Sequence, residues 1–442
     1  MKIKGVFILI FFSVFVFQSF SANLIVKSIP DLNKKVRNAQ PGDTLTLQNG
    51  TYTNEKLVFH AVGTTAKPIV IQAETAGKVF IEGNSTLRLG GEFVELHGFV
   101  FRNGFAEVAW EFRSKSGMLA NNCRITNCII DGYNNPNDSI KERWVLIYGK
   151  NNRIDYCNFI NKINEGVLMA VVLEEKKNDE ASRLENIENH HSIDHNYFGK
   201  RPLLKYVDNG GEIIRIGDSH TSLLSSRTMV KNNVFEECDG EVEIISVKSC
   251  DNVLSNNYFL KSAGALVLRH GHRNLVENNV FIGYGKKSTA GVRVINNGHT
   301  VRNNYFESLV GKGSFSAFSV MNALENPLPN EYHQVKNVLI EKNTFVECKN
   351  ISFNLRHTDP ERATIQVKQP ENVTFRNNTF YNAEQPIEFN LLDGESGIHG
   401  FKFKKNKINT QAWFPKTKGF KIAKVMKKPI APAIDFDYGT KY

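Results

Sequence analysis

From about residue 55 to 410 the chain reads as a succession of short strands. Apolar or alternating stretches at 68–73, 78–83, 93–101 and 151–159 are separated by Asn/Gly turns, and no sustained helical period interrupts them. Ahead of them, residues 24–52 read as strand, helix, strand. The helix is predicted from Pro30 and Asp31 through Gln40, with Leu32, Val36 and Ala39 on one face. Two later stretches leave the pattern. Residues 174–192 form a polar excursion, expected as a loop on one side of the molecule. Residues 411–442 are rich in lysine and read as a basic C-terminal tail or cover.

An internal repeat organises the strands. Asn-x-Phe occurs at Asn196, Asn233, Asn257, Asn279, Asn304, Asn343 and Asn378, with spacings of 37, 24, 22, 25, 39 and 35 residues. Weaker copies start at Asn127 and Asn406, and Cys157 stands in the asparagine place of another. The shorter spacings fit one turn of a parallel β-helix, and the longer ones fit a turn carrying an inserted loop. Residues i and i+2 of a strand point the same way, so each asparagine shares a face with its phenylalanine. Stacked amides can then bond one another from turn to turn, a structural role. A propeller with blades of about 40 residues is the competing architecture. The irregular spacing above a short minimum speaks against it. The expected fold is all-β: a single-domain right-handed parallel β-helix over 23–410, its first edge covered by the short N-terminal helix.

Four buried-looking strands between residues 208 and 297 carry charge. They open at Gly211, Gly240, Gly264 and Gly291, spaced 29, 24 and 27 residues apart. Their charged residues are Glu212 and Arg215, then Glu241, Glu243 and Lys248, then Arg269 and His270, then Arg293. Charge repeated at one place in successive buried strands is costly unless those strands line a site.

Composition narrows the partner. A hydrophobic share of 41% with 23% charged residues is ordinary for a globular protein. A net charge of +10 attracts polyanions, although a generally basic surface would look the same. Residues 1–22 read as a signal peptide, with a basic start at Lys2 and Lys4, an apolar core at 6–17 and small residues at Ser19 and Ser21. The apolar core is too short for a membrane anchor. The protein is therefore expected to be exported, periplasmic or extracellular, which disfavours a nucleic-acid partner. The six cysteines lack metal-binding spacing and are expected as buried thiols. Nothing in the sequence fixes an oligomeric state.

Glu241 and Glu243 leave the same face of one strand, and Asn209 and Glu212 lie one turn earlier, roughly 4.8 Å away. Two carboxylates and an amide oxygen form a hard, oxygen-rich site that suits calcium better than zinc. Glu212 could be a further ligand or could pair with Arg215. Lys248, Arg269 and Arg293 lie 9, 10 and 11 residues before the next repeat asparagine, which predicts a basic column. On an acidic polysaccharide this set supports β-elimination. The metal ion and an arginine would neutralise a uronate carboxylate, Lys248 would take the C5 proton, and Arg269 would face the leaving oxygen. A glycosidase would need two carboxylic acids across the bond, and no second acid is visible. His270 and Arg293 are expected to contact substrate.

Asn209, the Glu241–Glu243 pair, Lys248 and the run from Leu268 through Arg269 and His270 resemble the active-site pattern of polysaccharide lyase family 6. That family holds alginate lyases and the dermatan-sulfate lyase chondroitinase B. Residues 41–52 and 291–306 are similar to it as well, and the likeness covers about 24–410. The resemblance implies calcium binding by Asn209, Glu241 and Glu243, a base at Lys248, and an acid or neutralising group at Arg269. It favours alginate as substrate. A dermatan-sulfate lyase and a non-catalytic glycan-binding β-helix are the alternatives.

Overall fold

A computed structural model describes residues 22–204, 210–355, 358–359, 364–384, 387–391, 398–409, 419–423 and 425–442. The predicted signal peptide lies outside them but for Ala22. Among the described residues the strands form three long sheets of 14, 13 and 14 strands. Within the sheets, neighbouring strands are parallel, and each turn of the chain adds a strand to each sheet in nearly unbroken order. This is the predicted parallel β-helix.

The repeat builds its interior. Asn196, Asn233, Asn257, Asn279, Asn304, Asn343, Asn378 and Asn406 form a continuous ladder, each Nδ2 donating to the next Oδ1 at 2.9–3.1 Å. The phenylalanines two residues on stack face to face from Phe198 to Phe380, with ring centroids 4.4–4.9 Å apart. That distance matches the strand spacing, so each ring fills its own layer. The asparagine before the ladder position has a second reason. Asn232, Asn256, Asn278, Asn303 and Asn377 hold φ of 55–57°, a left-handed corner that asparagine tolerates better than most residues. All six cysteines are buried thiols.

The N-terminal helix spans Ile29–Arg37, slightly shorter than predicted. Ser28 caps it, and Ile29, Leu32 and Val36 are buried. Asn33 on this helix accepts from Val58 N at 2.9 Å and donates to Lys56 O at 2.8 Å. Its amide thus substitutes for a missing strand at the open edge.

Two expectations need correction. The polar excursion is not all loop, because Glu180–Asn186 is helical. Asp179 starts it by accepting from Ser182 N at 3.0 Å. The strand stack also continues past residue 410. Phe420–Ile422 pairs in parallel with Asn406–Ile408 through backbone bonds that need no repeat motif. Residues 425–442 then run back along the third sheet. Tyr305, Tyr258 and Asn158 donate in turn to the carbonyls of Pro429, Ala433 and Thr440.

Candidate active site

The charged residues converge on the outer face of the 13-stranded sheet. Its neighbouring strands Ile214–Ile216, Glu243–Lys248, Gly264–His270 and Thr289–Val294 carry Arg215, Glu243, Lys248, Arg269, His270 and Arg293, and Glu212 and Glu241 each lie two residues before a strand. Apolar residues of the same strands, such as Ile214, Ile245, Leu266 and Val292, point into the core. Alternation therefore aims Arg215, Ser246 and Arg293 outward, and the register aligns them with Val267 in one row.

The straight column of Lys248, Arg269 and Arg293 does not form. Lys248 lies opposite His270, and Arg293 lies opposite Val267. Pairing jumps from Val247–Leu268 to Lys248–His270, so Arg269 is the extra residue of a bulge. A second irregularity separates Gly264 from Leu266 against the next strand. Bulges re-aim side chains, and this one turns Arg269 towards Glu243.

Glu243 is the hub. Arg293 bonds one of its oxygens, Arg269 Nε lies 3.6 Å from the same oxygen, and Ser246 Oγ donates to the other at 2.5 Å. Burial works against the charged form, but Arg293, Arg269, Ser246 and Lys248 together hold this carboxyl below the usual range. Glu241 differs. Burial, then the charges of Glu212 and Glu243, push it up to about 8. Glu212 is fully buried, and its nearest cation among the described residues is Lys248 Nζ at 3.8 Å from Oε1. It does not pair with Arg215, which turns away to Asp218 at 2.9 Å.

His270 is buried and pushed down to about 2 by that burial and by Arg269, Lys248 and His333, so it is neutral. Asn209, an expected metal ligand, lies outside the described residues. Among the described residues no group of three His, Cys, Asp or Glu side chains stands ready to hold a metal ion.

Unmet hydrogen-bonding capacity marks the cluster. Seven buried polar atoms without a partner belong to Glu212, Arg215, Glu241, Arg269, His270 and Arg293. Buried polar groups are normally paired, and the asparagine ladder shows that this fold can pair them. Orphaned carboxylate oxygens beside orphaned guanidinium and imidazole nitrogens describe a surface shaped to receive polar groups.

Several residues of the site were not anticipated. Arg201 is fully buried beneath it. Its guanidinium donates to the carbonyls of Glu212 at 2.7 Å, Gly166 at 2.8 Å, Asn164 at 3.2 Å and Gly210 at 3.3 Å. It ties the segment carrying Glu212 to the turn before, and burial lowers its pKa to about 10. Tyr332 lies against Arg269, 4.5 Å from ring centre to guanidinium carbon, and Phe315 lies 5.7 Å from that of Arg293. The long spacing from Asn304 to Asn343 signalled an insertion there, but not where it would fold.

Comparisons with known proteins give the family. The family model described as Chondroitinase B matches residues 26–435. A search of the curated proteins finds no match. Among solved structures, the PL6 family alginate lyase AlyGC is 40% identical with a TM-score of 0.86. The match covers 95% of this chain and 56% of that one, so this chain spans about half its length. A mannuronic acid specific family 6 lyase from human gut microbiota is 35% identical, with 92% of each chain covered and a TM-score of 0.81. The PL6 family polysaccharide lyase Pedsa3628 from Pseudopedobacter saltans is 26% identical, covering 95% of this chain and 99% of that one, with a TM-score of 0.73. The fold, the extent of the match and the identity together make this chain a member of the chondroitinase B family, polysaccharide lyase family 6.

Proposed function

We propose that the protein is a polyuronate lyase that cleaves alginate by β-elimination. The observation that carries the reading is the buried cluster in which Arg269 and Arg293 meet Glu243, Lys248 lies 3.8 Å from Glu212, and Glu212, Glu241, Arg269, His270 and Arg293 keep polar atoms without hydrogen-bond partners. Arg269 and Arg293 would bind the substrate carboxylate, and neutralising it acidifies the proton at C5. Lys248 would accept that proton. The C4–O4 bond then breaks, a C4–C5 double bond forms, and the departing O4, its charge offset by Arg269, takes up a proton from protonated Lys248 or from water and leaves as a hydroxyl. His270, neutral and level with Lys248 in the register, would donate or accept a hydrogen bond to a sugar hydroxyl.

Calcium belongs to the same reading. The donors fit a hard cation: Glu212 and Glu241 have oxygens without partners, and Glu241 resists ionising beside two other carboxylates. Glu243 would have to release Arg293 or Ser246 to join them, and Asn209 would add an amide oxygen. A bound calcium ion would supply further positive charge for the substrate carboxylate. Export through residues 1–22 is part of the proposal, and N-terminal sequencing of the protein recovered outside the cytoplasm tests it.

The neighbour described as mannuronic acid specific makes polymannuronate the first substrate to try. Ultraviolet absorbance of the unsaturated product would be followed on polymannuronate, polyguluronate and dermatan sulfate, each with calcium and with chelator. Product on an alginate block, abolished by chelator, is the expected result. Product on dermatan sulfate alone would move the substrate to the sulfated class, and silence on all three would sink the lyase reading.

A further inference from the structure

A second basic cavity opens on the same face of the same sheet, nearer its N-terminal end. It measures about 790 Å3 and is lined in part by Lys56, Arg88, Arg113, Lys115 and Glu175. Register connects it to the catalytic cluster. Arg88 lies opposite Glu111, followed strand by strand by Leu146, Ala170 and Arg215. Four steps of roughly 4.8 Å put Arg88 roughly 19 Å from Arg215, and a fifth puts the strand of Glu243 and Lys248 roughly 24 Å away. Leu146, Tyr148 and Ala170, all buried, lie between them, so the two sites share a face but not a cavity.

The cavity has an excess of positive charge and a rigid frame. Glu111 is buried and shared, bonded by Arg88 and, at 2.6 Å, by Arg113. Arg113 also reaches Glu175 at 2.7 Å and stacks over Tyr148 at 4.4 Å. Its guanidinium is thus held from three sides. Lys56 is anchored on the carbonyl of Asn84 at 2.9 Å, and Lys115 makes no ion pair with a described carboxylate. Four cations, Lys56, Arg88, Arg113 and Lys115, therefore stand around this hollow against three carboxylates, Glu111, Glu175 and, near Arg88, Glu107. The hydroxyls of Ser114 and Ser116, 2.8 Å apart, add hydrogen-bonding groups beside it. Its volume falls in the range of small-molecule and saccharide sites. A network serving stability alone has no need of unmatched charge around a cavity.

We propose that this cavity is a second anion-binding site that holds a carboxylate-bearing sugar unit of the polysaccharide, away from the bond being cleaved. Only the identity of the ligand rests on the polyuronate reading; the excess charge does not. A polymer long enough to touch both sites gains affinity through effective concentration, whereas a trisaccharide on the catalytic cluster gains nothing.

The test is the double variant Lys56→Ser/Lys115→Ser, which removes two exposed charges without touching the buried Glu111 network. Lys404→Ser/Lys407→Ser, with equal charge loss on the other two sheets, is the control. The KM for polymannuronate should rise about two- to fivefold, the span expected for exposed charge contacts, with kcat and the KM for trimannuronate unchanged. Retardation in native gels containing polymannuronate, corrected by gels without it, should weaken relative to the control. Equal KM and equal retardation in the two double variants would overturn the proposal, as would wild-type protein that polymannuronate does not retard. The gel reports on this cavity even if no unsaturated product is ever formed. Failure of the lyase reading and failure of this site are thereby kept apart.

Discussion

Arg293 reaches over the intervening strand Gly264–His270 to bond the carboxylate of Glu243, 50 residues earlier in the chain. Both side chains are buried, and Phe315 lies near the guanidinium. The contact helps to hold the Glu243 carboxyl below its usual range, and it sets a guanidinium beside the point where a substrate carboxylate would enter. Arg293→Met should therefore cost stability as well as turnover. Removing one partner of a buried pair costs about 3 kcal/mol or more, because the other charge is left without compensation. The denaturation midpoint should fall, and a variant as stable as wild type would show that the pair contributes nothing net.

Lys248→Ala separates chemistry from binding. The expected loss in kcat is about a hundredfold or more, the usual range for a general base. Retardation by polymannuronate should persist, because Arg269 and Arg293 are untouched. Normal turnover in this variant would move the base elsewhere.

Calcium should raise the melting temperature and chelator should lower it, since Glu212 and Glu241 have partnerless oxygens that an ion would satisfy. Glu241→Gln should shrink this calcium-dependent shift. A melting temperature indifferent to both calcium and chelator would remove the ion from the mechanism.

Acid lability is expected from two structural histidines. His191 and His299 are fully buried, and burial lowers each to about 3 from the ordinary 6.5. The unfolded chain binds a proton at each below pH 6.5 while the folded chain does not. Their contribution is therefore complete above pH 6.5 and is lost as pH falls towards 3. By pH 5 the loss is about 2 kcal/mol for each. Thermal melts between pH 7 and 4 should show the decline, and His299→Gln should make it shallower.

The asparagine ladder should be strained by a single deletion. In Asn343→Ala, Asn304 loses an acceptor for both its backbone N–H and its Nδ2, and Asn378 loses a donor partner. Leaving such buried groups unpaired costs about 2–3 kcal/mol. Melting temperature should drop while kcat changes little, because the site draws no residue from that layer.

The sequence by itself determined the architecture. Asn-x-Phe is a local pattern, and its physical consequence is local as well. Two side chains on one face of a strand, repeated at the pitch of one turn, stack onto themselves whatever the loops between them do. The capping helix was legible for the same reason, through Ser28, Pro30 and the apolar face of Leu32 and Val36. The sequence also marked Glu212, Arg215, Glu241, Glu243, Lys248, Arg269, His270 and Arg293 as charges in strands that should be buried; six of them lie in neighbouring strands of one sheet, and Glu212 and Glu241 lie just before theirs. Only the tertiary structure decided how they pair. Spacing places a residue on a turn to within one or two positions, and the bulge at Arg269 uses up that margin. Whether Arg215 meets Glu212 or Asp218, and whether Arg201 and Tyr332 reach the site, depends on hydrogen bonds and loop paths between segments far apart in sequence. No periodicity within one segment encodes those.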